Sequence, residues 1–414
     1  MKEIQLTIKA LSPLAIGTRK PGGSVSEAQD YIPGSVIRGA IAAQILQYPG
    51  VDQAQPGGDF QRLFLDDGAA IFSNAYPTIK NRQGDLLPVR LLPATAVSSK
   101  SNPGFRTGNS DNHGVFDTLI DRFCAEGHHH LYDPNCPQDG GRVEPYGGFY
   151  TVATGDDGKT IYSSQKVETR LLTRVGINRR RATAQEDILY SIEVISETRK
   201  KGEQDTLFSG TVRLADETLA SVLTDFINAQ SQSLRLGGST SRGLGKVEIT
   251  AQLQDCTVEV EHRIKQFNQQ LHKRWYAWDV FGKPQNSPLE NRRFFSLDLQ
   301  SDAILTDQWR RTMVISPEML CQETGVTDPD LELHASYSSY DYRSGWNAAW
   351  GLMKDVELVT KRGSVYLFST PQIDQWLPAL ESLEQRGVGD RTCEGFGQIR
   401  VCDEFHTIFR EEAK

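Results

Sequence analysis

The chain reads as an α+β protein of two ferredoxin-like halves, the first interrupted by a long irregular insertion. Three observations point there. A glycine-rich ending occurs twice, as Leu236-Gly237-Gly238-Ser239-Thr240-Ser241-Arg242-Gly243-Leu244-Gly245 and as Val388-Gly389-Asp390-Arg391-Thr392-Cys393-Glu394-Gly395-Phe396-Gly397. Both copies share G-x5-G-x-G before alternating apolar residues. A repeat of this kind indicates that one structural unit was used twice. The first half also reads strand, helix, strand, strand, helix, strand, the order in which an antiparallel sheet carries helices on one face. The second half ends in the same run of helix, glycine loop and strand.

The opening strand is Ile4 to Leu11, whose alternation buries Ile4, Leu6 and Ile8 on one face. A glycine- and serine-rich loop from Ser12 to Gln29 follows. Ser35 then suits an N-cap, and Ile37, Ile41 and Ile45 recur every four residues, predicting a helix to Leu46. Residues from about 98 to 160 are rich in Gly, Asn, Asp, His and Pro with little periodicity, which marks an insertion. Strands are expected at Leu189–Ile195 and Leu207–Leu214, then a helix over Ala215–Gln230, the first glycine loop and a closing strand. This first domain spans 1–253, with a basic hairpin at about 166–192. A polar helix, Glu259–Trp278, and a loop over Gly282–Asn291 make 254–291 a linker. The second domain, 292–414, opens with Phe294–Leu299 and continues through Gly345-Trp346-Asn347, Ser364–Ser369 and a helix around Asp374–Glu384.

At 414 residues there is room for two to three domains. A hydrophobic content of 38% with 24% charged residues describes an ordinary soluble protein. A net charge of -8 excludes a generally basic nucleic-acid binder, so any such contact must be a local patch. Six scattered cysteines and the lack of a signal peptide predict a cytoplasmic protein, and no apolar run is long enough to cross a bilayer.

One patch stands out. From Lys159 to Arg181 the basic residues are Lys159, Lys166, Arg170, Arg174, Arg179, Arg180 and Arg181, against the single acid Glu168, a local charge of +6. On an acidic chain this is a concentrated anion-binding feature, although a basic run is often only a solvated loop. Tyr162 and Tyr190 flank it and Phe396 lies in the second glycine loop, aromatic faces on which bases could stack. Each glycine loop adds an arginine, Arg242 or Arg391, and glycines free to take positive φ, a composition that suits a phosphate or an RNA backbone. A tight hairpin without a ligand is the bland alternative. Arg38, near the positive end of the predicted helix, is mildly unfavourable for the helix dipole and so is a candidate to meet an anion.

Within the insertion, Cys124 with His128 and Cys136 with Asp139 form two close-spaced pairs, as structural zinc requires. Cys136-Pro137-Gln138-Asp139-Gly140-Gly141 reads like a zinc knuckle whose second cysteine has become aspartate. No other cofactor is expected. Asp30, with Glu27 nearby, reads as a turn residue and is a nuclease candidate only by family resemblance, and His113, His128, His129 and His130 lack an evident orienting partner.

The segment Ser12-Pro13-Leu14-Ala15-Ile16-Gly17, the stretch from Tyr31 to Ala42, residues Arg174 to Glu193, Gly345-Trp346-Asn347 and both glycine loops resemble the repeat-associated (RAMP) subunits of CRISPR RNA-guided effectors. Within them the chain looks most like the type III-D Csx-ten, a Cas-five-like protein of two ferredoxin-like, RRM-like domains. The resemblance implies a non-catalytic subunit that caps the 5′ repeat-derived handle of the crRNA in antiviral defence. It would stand beside the large polymerase/cyclase-like subunit and the backbone RAMP subunits, meeting target RNA only indirectly and no membrane. By similarity the handle is gripped by Arg38, Gly237, Gly238, Arg242, Gly243 and Gly245, with Gly389, Arg391, Gly395 and Gly397 as a second set, and the thumb-like hairpin maps onto Arg170–Tyr190. Two rival classes stay open: an endoribonuclease that processes crRNA or cuts target RNA, and an adaptor that contacts protein only.

Overall fold

The computed structural model describes the chain except residues 19–26, 48–56, 67–69, 108–109, 156–157, 159, 179–182, 200–203, 285–286 and 348–350. The first half supplies β1 (Lys2–Ala10), α1 (Gly34–Ile45), α2 (Asp59–Phe64), β2 (Ile71–Phe72), β3 (Tyr76–Thr78), α3 (Leu119–Gly127), β4 (Thr169–Asn178), β5 (Thr183–Ile195), β6 (Leu207–Leu214), α4 (Glu217–Ala229) and β7 (Val247–Asp255). The second supplies α5 (Val260–Trp278), β8 (Arg293–Leu299), β9 (Leu305–Asp307), β10 (Arg310–Thr312), α6 (Pro317–Thr324), β11 (Glu332–Tyr337), β12 (Tyr340–Arg343), β13 (Glu357–Thr360), β14 (Val365–Thr370), α7 (Ile373–Arg386) and β15 (Ile399–Val401). None of the described helices is long and apolar enough to cross a membrane.

Both halves build the same antiparallel sheet. In the first, β1 lies between β6 and β7, and β2 and β3 pair with the far edge of β6. In the second, β8 lies between β14 and β15, with β11 outside β14. Each runs fourth, first, third, second in strand order, the ferredoxin-like arrangement. The alternation along β1 does what its pattern predicts: Ile4, Leu6 and Ile8 are fully buried and join Ile37, Ile41, Leu223 and Ile227 of the covering helices in one core. Burial of each such side chain contributes roughly 1.5–3 kcal/mol.

Helix α1 starts differently from expectation. Pro33 occupies the cap, Ser35 makes no capping bond, and the Gly34 amide donates to Asn74 Oδ1 at 2.9 Å. A Cβ on Gly34 would overlap the Phe72 carbonyl oxygen, so contact with β2 sets the helix start in place of a serine cap. The predicted linker helix also proves structural. Val260, Ile264, Phe267, Leu271 and Trp275 form one buried stripe on α5, packed in the core of the second half with Phe294 and Leu380.

The insertion is not irregular. Ala96–Ser99 pairs with Val115–Asp117 and with Val143–Pro145, Phe149–Thr154 pairs with Thr160–Gln165 and with Val89–Leu91, and α3 lies between. These strands are too short for a period of two to declare itself. Their core partners also lie far away in sequence: Phe105, Phe116 and Tyr150 pack with Phe405, Ile408 and Ala413. The backbone follows, the Asp117 amide donating to the Ile408 carbonyl at 2.8 Å and the Val115 amide to that of Lys414 at 2.7 Å. At this seam His406 is fully buried, with Nε2 2.7 Å from Asp298 of β8 and Nδ1 3.1 Å from Asp117 of the insertion.

Candidate nucleic-acid interface

The two glycine loops share one backbone. Ser239 and Arg391 both take left-handed φ, at 57° and 59°, ahead of 3-10 turns at Thr240–Arg242 and Thr392–Glu394 that close on left-handed Gly243 and Gly395. Their anchors also correspond. Leu236 donates to Gly245 as Val388 does to Gly397, at 2.9 and 2.8 Å. Gly238 donates to the Ala15 carbonyl as Asp390 does to that of Ile304, both at 2.9 Å. Gly245 donates to Pro13 as Gly397 does to Asp302, again at 2.9 Å. Glycine is required where these bonds bring backbones together, since a Cβ on Gly237 would lie 2.6 Å from the Ala15 oxygen.

What surrounds the loops is different. Thr240, Ser241, Arg242 and Gly243 of the first are exposed, and a Cβ on Gly243 would meet nothing within 4 Å. The second is covered by the first half of the chain: a Cβ on Gly395 would lie 2.7 Å from Asn74 Oδ1 and 3.0 Å from the Phe72 oxygen. The arginines are not equivalent either. Arg391 takes the place of Ser239, pairs with Glu394 at 2.6 Å and lies 5.1 Å from the Phe396 ring centroid, while Glu394 stands where the first loop has Arg242. Glu394 also pairs with Lys354 at 3.3 Å, and these cations hold its carboxyl below the usual range against the opposing effect of burial. The second set, Gly389, Arg391, Gly395 and Gly397, is thus largely engaged within the protein.

The first loop is met by the basic hairpin β4–β5. Arg242 Nη1 donates to the Tyr190 hydroxyl at 2.6 Å with its guanidinium 5.6 Å from that ring's centroid, and Arg174 Nη1 donates to the Arg242 carbonyl at 3.3 Å. Two guanidinium groups and an aromatic face therefore converge beside the open edge of the loop. The hairpin base is fixed by Glu193, which accepts from the Ala28 amide at 2.7 Å and from Thr169 Oγ1 at 2.9 Å. Arg170 belongs to the same strand but forms a bidentate pair with Glu197, at 2.9 and 2.7 Å. Arg179, Arg180 and Arg181 lie outside the described residues.

Arg38 faces inward. It donates to the Phe64 carbonyl, and its guanidinium lies 5.7 Å from the Phe64 ring, so α2 engages the group expected to meet RNA. Asp30 is likewise occupied by both of its oxygens, 2.7 and 2.8 Å from Arg362 Nη2. Arg362 in turn stacks 4.7 Å from Tyr31 and 4.9 Å from Phe149. Burial raises the hydroxyl pKa of the neighbouring Tyr76 to about 12, leaving it a neutral donor, which bonds the Gln300 carbonyl across the two halves.

The expected metal set divides in two. Cys124 is on the buried side of α3, its carbonyl accepting from His128 Nδ1 at 2.7 Å, while His128 Nε2 lies 3.2 Å from Asp279 and the ring packs on Trp275. Helical spacing thus joins Cys124 to His128 through backbone and places both against α5. Cys136 and Asp139 instead meet His113, whose Nδ1 is 3.2 Å from Cys136 Sγ and 3.3 Å from Asp139 Oδ2.

Sequence reasoning also missed a second hairpin. Leu14 bridges Ile195 in the first half and Ala303 bridges Thr360 in the second, so β12 and β13, paired from Tyr340↔Thr360 to Arg343↔Glu357, stand where β4 and β5 stand. The loop anchors give the correspondence: Pro13 and Ala15 accept from the first loop as Asp302 and Ile304 do from the second, so Leu14 and Ala303 hold equivalent positions, a match carried by backbone bonds and not by residue type.

No curated protein matches the sequence. Among solved structures, the chain is similar to one in the cryo-EM structure of the Type III-B Cmr-beta bound to cognate target RNA and AMPPnP, with 13% identity, 90% of this chain and 88% of that one covered, and a TM-score of 0.39. Oligomeric Cmr4 from Pyrococcus furiosus matches at 13% identity over 61% of this chain and 99% of its own, with a TM-score of 0.26. A chain of a Type IV-B CRISPR complex matches at 14% identity over 60% and 90%, with a TM-score of 0.24. The family model described as the RAMP superfamily matches residues 7–248, a span holding most of the first half with its basic hairpin and open glycine loop, and the chain belongs to that superfamily.

Proposed function

We propose that the chain is a non-catalytic, RNA-binding subunit of a CRISPR effector complex that caps the 5′ repeat-derived handle of the crRNA, of the type III-D Csx-ten kind. The carrying observation is the asymmetry between two loops of the same backbone. One is closed against protein; the other is left open, with Arg174, Tyr190 and Arg242 gathered at its edge. Guanidinium groups beside an exposed glycine turn provide charge for phosphates, and the tyrosine provides a face for a base. On a chain of net charge -8, this local concentration of positive charge supports an RNA contact here. The large polymerase/cyclase-like subunit and the backbone RAMP subunits are the expected neighbours.

The Asp30–Arg362 pair favours this reading over a nuclease, because both carboxylate oxygens are already engaged by Arg362 Nη2. Arg174→Glu with Arg242→Glu is expected to weaken binding of single-stranded handle RNA at least about tenfold. It should also reduce the slope of log K against log salt by roughly 1.4, the loss of two single-strand phosphate contacts. Titrations at several salt concentrations check this, together with crRNA retention in the reconstituted complex and the companion variant Arg179, Arg180 and Arg181→Glu. Unchanged affinity and slope with a fully protected 5′ end would instead support the protein-only adaptor. Cleavage that disappears in Asp30→Ala while affinity holds would establish the endoribonuclease.

A further inference from the structure

We infer that His113, Cys136 and Asp139 form a structural zinc site that fastens two loops of the insertion together. Their ligand atoms all lie within 4.8 Å of one another, and they come from two chain segments, with His113 on one and Cys136 and Asp139 on the other. The Nδ1–Oδ2 and Nδ1–Sγ separations of 3.3 and 3.2 Å fall close to the edges of a zinc tetrahedron, roughly 3.3–3.6 Å for bonds of about 2.0–2.3 Å. A mixed N, S and O donor set is one that zinc accepts without a geometric penalty.

The local fold prepares the site. The Cys136 amide donates to the Gly141 carbonyl at 2.7 Å, the Gly140 amide to the Cys136 carbonyl at 3.0 Å, and the Gly141 amide to Asp139 Oδ1 at 2.8 Å. This closes a knuckle-like turn that leaves Asp139 Oδ2 facing His113. Cys136 is buried, whereas Asp139 is exposed, so solvent can supply the fourth ligand. Asn102 provides the outer partner, its side-chain amide 2.9 Å from His113 Nε2. As placed, its Nδ2 donates to Nε2; turned over, its oxygen accepts the Nε2 proton that a metal on Nδ1 requires.

A plain hydrogen-bonded turn is the alternative, and metal content separates the two. The full chain, carrying His129→Ala and His130→Ala to remove exposed histidines, is loaded with zinc, dialysed and assayed for metal. Parallel samples loaded with Co2+ are read for tetrahedral d–d and thiolate charge-transfer bands. The expected result is one metal per chain with both band types, lost in Cys136→Ser and in His113→Ala, weakened in Asp139→Asn, and kept in Cys124→Ser and His128→Asn. The Co2+ spectrum of the unaltered site needs no ligand variant, so misfolding of one does not blunt the test. Absence of retained metal, cobalt bands without thiolate character, or loss on changing Cys124 but not Cys136 would overturn the assignment.

Discussion

His406→Ala is expected to destabilise the protein by about 3–5 kcal/mol, the cost of removing one partner from a buried ionic cluster. The imidazole lies between the Asp298 and Asp117 carboxylates, at 2.7 and 3.1 Å, and all three side chains are buried. Without it two carboxylates from different parts of the chain face one another with no cation between them. Burial alone lowers the histidine pKa, but the two aspartates outweigh it and hold the imidazolium, so the native value lies well above the ordinary one. A raised native pKa fixes the sign of the pH dependence. The stabilisation is fully present below the unfolded value of about 6.5 and is lost as pH rises through the elevated native value. Denaturant titrations of wild type and variant should therefore differ most at mildly acidic pH and converge on the alkaline side. Adding Asp298→Asn to His406→Ala should recover part of the loss, because one of the repelling charges goes. Equal stability of His406→Ala and wild type at pH 6 would remove the ion cluster from the account.

Gly397→Ala is expected to lose several kcal/mol or fail to fold, while Gly243→Ala loses only about 1–2 kcal/mol. Both residues have left-handed φ, 65° and 84°, so both variants are strained. The difference lies in the surroundings. A Cβ at Gly397 would overlap the Val388 carbonyl and crowd its carbon at 3.0 Å, whereas at Gly243 it would enter open space. Thermal melts separate the two directly. Gly243→Ala then becomes useful, because it stays folded and places a methyl group on the open edge proposed to meet RNA. Reduced handle affinity without a matching fall in melting temperature is the expected result. Similar melting temperatures for both variants would show that the second loop relaxes more readily than its bonds suggest.

How much could be read in advance depended on whether a feature is local. The alternation in β1 and β6 is visible because one face of each strand is apolar throughout, and the glycine loops because their backbone demands glycine at fixed spacing. The start of α1 was misplaced because Gly34 answers to Phe72 and Asn74, far along the chain, rather than to Ser35. The strands of the insertion are three to six residues long and take their core from Phe405 and Ile408, so no window of sequence contains the pattern. The basic hairpin was legible as charge, but its meeting with Arg242 through Tyr190 was not. The candidate metal residues divided for the same reason: spacing grouped Cys124 and His128 with Cys136 and Asp139, and only the fold places Cys124 and His128 against α5 and His113 beside Cys136.

The seam between the insertion and the chain's last turns bears on how the protein is made. Asp117 leaves the ribosome about 290 residues before its partner Ile408, and at roughly 5–20 residues per second the insertion waits about 15–60 s for the residues that complete its core. Throughout that time Phe105, Phe116 and Tyr150 lack Phe405, and Asp117 lacks His406. A chain ending at Cys402 should reproduce this waiting state, with both sheets formed and the insertion open to protease. Equal resistance of the truncated and full-length chains would show that the insertion closes unaided. Closure of the insertion is thus tied to synthesis of residues 403–414, and a product terminated before them would carry an unfinished domain into any assembly that accepted it.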